Sequence, residues 1–168
     1  MHSELVSRWN KVVGPDDIGI FVGDLSAGLG GRKRELGEVI KSLNGKKIFV
    51  RGNHDHIEDE WYLQAGFLRV AESIVLGRVL VVHFPLEEAI SRKLDRPEWS
   101  GIEHVVHGHV HRVGVPNYES HFNVAVDRNE YSPVASDVAI PASLLNEFTE
   151  SVSRFIDVNQ PWRISDAI

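Results

Sequence analysis

Four short segments of the sequence carry side chains that bind metal ions or exchange protons. They are Gly23-Asp24, Gly52-Asn53-His54-Asp55, Val82-His83 and Gly108-His109-Val110-His111. Imidazole, carboxylate and amide oxygen form a borderline ligand set, which suits Mn²⁺, Fe, Zn²⁺, Co²⁺ or Ni²⁺ far better than Ca²⁺ or Mg²⁺ alone. A carboxylate such as Asp24 is able to bridge two metals about 3.5–4 Å apart, which would polarise a phosphoryl oxygen and orient a hydroxide for attack. The residue types therefore predict a divalent transition-metal centre.

The clustering of the histidines favours a metal-binding site. Four of the nine histidines (His104, His107, His109 and His111) lie within eight consecutive positions, well inside the chain. Alternate spacing places His109 and His111 on one face if the backbone is extended. His107 shares this alternation, but we leave it out of the ligand set as a structural residue. Taken singly, Asp24 and Asn53 would be turn residues, and His83 a half-buried histidine.

The elements that must position these residues alternate between helices and strands. Leu5, Trp9 and Val12 or Val13 recur at helical spacing, and the helix ends at the turn signature of residues 14–17. A buried strand over 18–22 leads to Asp24. A glycine-rich loop (Gly28, Gly30, Gly31), a helix over 32–43 and a strand over 47–50 then lead to Asn53.

The second half of the chain is predicted to contain mostly strands. We expect a short helix over 58–65, a hairpin of 67–76 and 78–83 around Gly77-Arg78, and a helix over 86–95. Strand residues follow at 105–106, and strand-like pieces at 113–115, 122–126 and 137–140. Pro141 opens a last helix as its first residue. Because each candidate ligand follows a strand, we expect the ligands to meet at strand ends, where a preceding glycine permits close backbone approach.

Length and composition limit the class of protein. The 168 residues suffice for one domain, 1–168, with a loosely held tail at about 160–168. The pattern predicts an α/β fold of two packed mixed β-sheets flanked by helices. A net charge of -6 argues against broad nucleic-acid binding, and the absence of cysteine excludes disulfides and thiolate zinc sites. No apolar run predicts a membrane span or a signal peptide, so a cytoplasmic protein is expected.

In order and rough spacing, these four segments resemble the calcineurin-like metallophosphoesterase family. Arg8-Trp9-Asn10, Asp16-Asp17 and the run from Val50 to Asp55 resemble its small bacterial and phage branch, and the likeness covers about residues 4 to 140. It implies a metallophosphoesterase-like sandwich, two metal sites and a small phosphorylated substrate. The implied ligands are Asp24 as the bridging carboxylate, Asn53, His83 and His109 for the second metal, and His111 for the first.

The resemblance also implies a catalytic residue. His54 matches the non-ligand histidine that contacts the phosphate and protonates the leaving oxygen, a role that suits a side chain titrating near neutral pH. Asp55 is then expected to orient the His54 ring. The implied reaction is hydrolysis of a phosphomonoester or phosphodiester by metal-activated hydroxide.

The sequence departs from the family pattern at its start. The family opens with Asp-x-His at the end of a first strand, and this chain starts at the following helix, so the first metal keeps only Asp24 and His111. We weigh three explanations: a true start upstream, which we favour; a chain that folds without this strand and has a one-metal or vacant site; or a strand supplied by another chain. The alternative functions are an inactive metal-binding or scaffold protein and an interaction module with structural histidines.

Overall fold

Two β-sheets form the centre of the fold in the computed structural model, which describes residues 2–27, 32–111 and 120–157. The first sheet is parallel and has the order β1-β2-β3, formed by Ile18–Val22, Lys46–Val50 and Arg69–Ala71. The second sheet has the order β4-β5-β6-β7, formed by Ser73–Leu76, Val79–Val82, His104–His107 and His121–Asn123. Its β4 and β5 are antiparallel, and β5, β6 and β7 are mutually parallel neighbours. The fold is therefore a mixed α/β fold with two sheets.

Six α-helices accompany the sheets in the described ranges. They are α1 His2–Val12, α2 Lys33–Ser42, α3 Asp59–Ala65, α4 Leu86–Ser91, α5 Ser136–Ala139 and α6 Ala142–Ile156. Two short 3₁₀ turns, Pro97–Trp99 and Val126–Arg128, lie in the connections. None of the helices in the described ranges is long and apolar enough to cross a membrane.

The two sheets share one apolar core because side chains alternate along their strands. In β2, Ile48 and Val50 join a cluster with residues of the second sheet, whereas Phe49 packs among residues of α2 and α3 on the other face. In β5, Val79 and Val81 join the shared cluster, whereas Leu80 and Val82 pack with Val105 in a separate one. This period of two lets a short apolar strand bury both faces. The shared core also contains Leu144, Phe148 and Val152 of α6.

Most of the predicted elements are confirmed, including α1, β1, α2, β2, α3, α4, β6 and α6. The hairpin around Gly77 is confirmed for β4 and β5, but the run 67–76 is divided between the sheets. Arg69–Ala71 pairs with β2 in the first sheet, and Ser73–Leu76 pairs with β5 in the second. The chain thus changes sheets at Glu72, a division that periodicity alone does not specify.

Other predictions are corrected. The strand expected at 137–140 is wrong, because Ser136–Ala139 is a short helix followed by α6. The strand expected at 122–126 is shorter, since β7 ends at Asn123. Pro141 lies one position before α6 rather than inside it. The glycine-rich loop residues Gly28, Gly30 and Gly31, the strand-like piece 113–115 and the tail 160–168 lie outside the described residues.

Candidate metal centre

The candidate ligands lie where four strands end. Asp24 follows β1 and Asn53 follows β2, and the parallel pairing of Val22 with Val50 brings these two ends to one edge of the first sheet. His83 follows β5 and His109 follows β6, which are parallel neighbours in the second sheet. The site therefore joins one edge of each sheet, as the position of each ligand after a strand predicts.

Two of these residues have an unusual backbone conformation. Asp24 has φ 58° and His109 has φ 63°. Positive φ is uncommon outside glycine and costs free energy, so it persists where surrounding contacts enforce it, and such residues cluster at functional sites. Asp24 and His109 are both candidate ligands, and this conformation orients their side chains. Two of the five described non-glycine residues with positive φ are therefore candidate ligands.

The glycines that precede the ligands are required by close packing. A β-carbon at Gly23 would collide with the imidazole ring of His83, and one at Gly52 would collide with the backbone and carboxylate of Asp24. A β-carbon at Gly108 would lie 2.7 Å from the carbonyl oxygen of Val22. The expectation that these glycines permit close approach is confirmed.

Four atoms that are able to bind a metal lie close together. His83 Nε2 lies 3.1 Å from Asn53 Oδ1, 3.2 Å from His109 Nδ1 and 3.4 Å from Asp24 Oδ2. The ligand atoms of Asp24, His83 and His109 all lie within 4.8 Å of one another. The structure thus brings together Asp24, Asn53, His83 and His109, the bridging residue and the three ligands expected for the second metal.

The protonation state of His83 makes this convergence suitable for a cation. Its Nδ1 lies 3.1 Å from the carbonyl oxygen of Val22, which only accepts hydrogen bonds, so Nδ1 carries the proton. Burial lowers the pKa of His83 and favours the neutral ring, so Nε2 presents a lone pair. That lone pair faces the Asn53 oxygen and the Asp24 carboxylate, which are acceptors too.

His109 completes the same arrangement. Its Nε2 lies 3.4 Å from a carboxylate oxygen of Glu88, a contact that favours the tautomer with the proton on Nε2. Its Nδ1 then presents a lone pair toward His83 Nε2. Lone pairs that face each other at 3.1–3.4 Å repel unless a cation lies among them, and two imidazoles, a carboxylate and an amide oxygen are ligands of borderline transition metals. The residues therefore fit the expected metal.

Asp55 has a different role from the one expected. Its carboxylate does not contact the His54 ring, so that expectation is wrong. It accepts hydrogen bonds from the backbone N–H groups of Asp24, Ser26 and Gly52, at 2.6, 2.8 and 2.8 Å. Because these groups belong to the loops after β1 and β2, the buried carboxylate holds the two loops together.

Arg51 is also structural. Only 17% of its side chain is exposed. The guanidinium pairs with Asp59 and donates to the carbonyl oxygens of Asp55 and Ile57, both at 2.8 Å. It also lies over the ring of Tyr62. Arg51 thus stabilises the loop that carries Asn53 and His54.

His111 and His54 lie outside the cluster of converging ligand atoms. His111 is exposed, and its Nδ1 lies 3.1 Å from both carboxylate oxygens of Asp127. The backbone N–H of His54 donates to Asp24 Oδ1 at 3.0 Å, and its exposed imidazole makes no hydrogen bond within the described ranges. The structure therefore brings together four of the five predicted ligands. The predicted catalytic histidine, His54, directly follows one of them, Asn53, in the chain.

Two carboxylates near the site were not predicted from the sequence. Glu88 of α4 faces His109, and Asp127 of the second 3₁₀ turn faces His111. Neither follows a strand or a glycine, so neither shares the pattern that identified the ligands.

The two remaining histidines of the cluster make backbone hydrogen bonds. His107, which is not among the predicted ligands, donates through Nδ1 to the Gly108 carbonyl oxygen at 2.9 Å. The buried His104 donates through Nε2 to the carbonyl oxygen of Ala139 at 2.8 Å.

Comparison with known proteins identifies relatives without a described activity. No protein-family model matches the chain. The crystal structure of AQ665 from Aquifex aeolicus, a protein of unknown function, matches with a TM-score of 0.60 and 24% identity over 79% of this chain and 80% of that one. That likeness shows the fold alone. The uncharacterized protein MJ1445 of Methanocaldococcus jannaschii is 30% identical over 146 residues, which are 83% of this chain and 73% of that protein. The chain therefore belongs to the same family as MJ1445.

Proposed function

We propose that the chain is a metal-dependent phosphoesterase of the calcineurin-like kind, with a metallophosphoesterase-like sandwich fold. The observation that carries the proposal is the convergence of Asp24, Asn53 and His109 on His83, whose Nε2 lies 3.1–3.4 Å from a ligand atom of each of the other three. A bound Mn²⁺, Fe, Zn²⁺, Co²⁺ or Ni²⁺ would supply Lewis-acid stabilisation of phosphoryl charge and lower the pKa of a water molecule.

The side chains then have distinct tasks. Asp24, Asn53, His83 and His109 hold the metal, and Glu88 orients His109 through its outer nitrogen. His54 stands next to Asn53, and its exposed ring is free to approach a substrate and to donate a proton to the leaving oxygen. Small phosphorylated molecules are the proposed substrates, bound at the edge shared by the two sheets.

The arrangement favours one complete metal position. All four converging side chains serve it, whereas His111 pairs with Asp127 away from them. A second metal would need His111 to leave Asp127, or Asp127 to bind alongside it. We therefore propose one resident metal in the described site, and a second one only with a rearranged His111.

Hydrolysis of nitrophenyl phosphate and bis-nitrophenyl phosphate tests the proposal, with Mn²⁺, Zn²⁺, Co²⁺ or Ni²⁺ added and metal content measured in parallel. We expect release of nitrophenol and one tightly bound metal. Asp24→Asn should lower metal content, because it removes a charged ligand. His54→Ala should lower kcat by about 10²–10⁴-fold with metal content unchanged, since it removes a proton donor and no ligand.

His56→Ala is the matched control, because His56 is exposed two positions from His54 and makes no hydrogen bond among the described residues. It should leave both kcat and metal content unchanged. Equal losses in His54→Ala and His56→Ala would contradict the assigned role of His54. A chain that binds no stoichiometric metal would rule out the metal centre and leave an interaction module with structural histidines.

The second candidate is a metal-binding protein without turnover. It is favoured by the position of His111 outside the converging ligands. It predicts bound metal, no nitrophenol release from either ester, and no effect of His54→Ala. The same assays therefore separate it from the phosphoesterase.

A further inference from the structure

A cavity opens beside the metal centre. Its volume is about 140 Å³, and Asn53 and His83 contribute to its lining. An apolar cavity of roughly 150 Å³ holds one benzene molecule, whereas pockets for drug-sized ligands measure about 300–1,000 Å³. The cavity is therefore suited to one compact chemical group next to the metal ligands.

One wall of the cavity is apolar. Phe84, Leu94 and Trp99 line it, together with Val82 at the end of β5. Trp99 packs against the cluster that contains Val82, and its indole N–H has no acceptor among the described residues. The packing of Trp99 holds this wall in place, and its apolar side chains suit the carbon skeleton of a small ligand.

The polar part of the lining contains a positively charged side chain that has no partner among the described residues. Arg51 and Arg96 both line the cavity, but Arg51 is held by Asp59 and two backbone carbonyls. Arg96 is half-buried, and its guanidinium forms no hydrogen bond or ion pair within the ranges that the structure describes. A guanidinium has five N–H donors, which match the oxygens of carboxylates and phosphates. Arg96 is thus the group that favours an anion inside the cavity.

Glu72 and Ser73 complete the polar lining. Glu72 is exposed, and among the described residues it forms no ion pair with Arg96. Solvent and salt screen an exposed charge more than a half-buried one, so Arg96 has the stronger effect on a ligand within the cavity. The negative charge of Glu72 then weakens the attraction of an anion without cancelling it.

We propose that this cavity is the specificity pocket of the same site and binds a second anionic group of the substrate, a carboxylate or phosphate, through Arg96. This inference rests on the proposed phosphoesterase function, because it places the first phosphate at the metal centre. The substrates are then short phosphorylated molecules with an anionic group at the far end. The apolar wall packs against the carbon skeleton between the two groups.

Calorimetric titration of the manganese-loaded protein tests the proposal without requiring turnover. Phosphonopropionate and propylphosphonate are the probes, since they differ in the terminal carboxylate. We expect phosphonopropionate to bind about tenfold more tightly, the effect of one added charge-assisted hydrogen bond. Propane bisphosphonate in a third titration decides whether a carboxylate or a phosphate is preferred.

Variants test whether the preference for phosphonopropionate over propylphosphonate arises in the cavity. Arg96→Gln should reduce the ratio of the two affinities to about one, whereas Glu72→Gln should increase it, because the opposing charge is removed. Arg34→Gln is the charge-matched control and should keep the ratio, since Arg34 lies on α2 with 92% of its side chain exposed. Circular dichroism checks that each variant is folded.

The outcomes separate this proposal from the proposed function. The absence of a preference in the unmodified protein, or an unchanged ratio in Arg96→Gln, overturns the pocket. Failure of phosphonopropionate to bind overturns it as well. A preference that depends on Arg96, in a protein that hydrolyses no phosphate ester, supports the pocket and overturns the hydrolase.

Discussion

At the scale of single residues, the site depends on the side chains that fix ligand orientation. His83 has its tautomer set by the Val22 carbonyl oxygen, and His109 has its outer nitrogen directed at Glu88. Each contact leaves the other ring nitrogen with its lone pair facing the metal position. A partner behind each imidazole is typical of metal-binding histidines and raises the affinity of the site.

The contact between Glu88 and His109 gives a test at this scale. Glu88→Gln removes the negative charge behind the ring and keeps the size of the side chain. We expect metal affinity to fall about 10–100-fold, the usual effect of removing such a partner. Competition with a fluorescent chelator measures the affinity.

Glu87→Gln provides the control for this experiment, because Glu87 is the exposed neighbour on α4. It should change metal affinity little. If both variants lose affinity equally, the effect is due to the general charge of α4 and not to the orientation of His109.

At the scale of elements, strand ends bring the ligands together and glycines allow the ends to approach. The loops after β1 and β2 touch through the backbone of Gly52 and Asp24, and the buried Asp55 carboxylate joins them. The geometry of the site therefore depends on a distance between two loops that is too short for a β-carbon.

Gly52→Ala tests this close approach. The added methyl group would collide with Asp24, so the loops must separate. We expect loss of about 1–3 kcal/mol in the free energy of unfolding, the usual effect of overpacking, together with weaker metal binding. Denaturant titration and metal analysis measure the two quantities.

Gly37→Ala is the matched control for the same substitution. Gly37 lies in α2, and a β-carbon there would meet only Trp61, at an ordinary distance of 3.7 Å. Alanine in a helix is favoured over glycine by roughly 0.5–1 kcal/mol, so this variant should be more stable. A Gly52→Ala protein as stable as Gly37→Ala would contradict the role of the loop contact.

In the molecule as a whole, the proposed metal position lies between the two sheets. Asp24 and Asn53 belong to the first sheet's edge, and His83 and His109 to the second's. A metal bound by all four residues would cross-link the sheets in the folded state only. Binding to the folded state alone stabilises a protein by mass action.

Metal removal therefore should destabilise the protein. With free metal at about 100 times Kd, the loss on chelation corresponds to roughly 2.7 kcal/mol, or a decrease in Tm of about 5–10 °C for a chain of this size. Differential scanning calorimetry with and without chelator measures the shift. Asp24→Asn should show a much smaller shift, and an equal shift in both proteins would mean that the stabilising metal binds elsewhere.

Much of the site was predictable because its signals are local. A polar residue that follows a short apolar run indicates a strand end, and this pattern pointed to Asp24, Asn53, His83 and His109; a glycine directly precedes all of them except His83. Helices such as α2 and α6 were predictable for a similar reason, since their apolar residues recur at helical spacing. The predicted catalytic role of His54 rests on a resemblance and stays a prediction.

The remaining features depend on contacts between residues that are distant in the chain. Asp55 binds Asp24 across 31 positions, and nothing in its neighbourhood distinguishes this role from an interaction with His54. The run 67–76 divides between two sheets because its first part pairs with β2 and its second part pairs with β5. The residues 137–140 are too few and too apolar for periodicity to separate helix from strand.

Residue type, local spacing and the family resemblance were enough to predict which side chains are candidate metal ligands and which strands precede them. Only the packing of the two sheets brings a ring nitrogen of His83 to face one of His109 and pairs His111 with Asp127. The same packing places Arg96, which has no partner among the described residues, in one cavity lining with Asn53 and His83. The physical reason is that tautomer, pairing and cavity depend on groups from separate elements, and these groups become neighbours only when the two sheets pack.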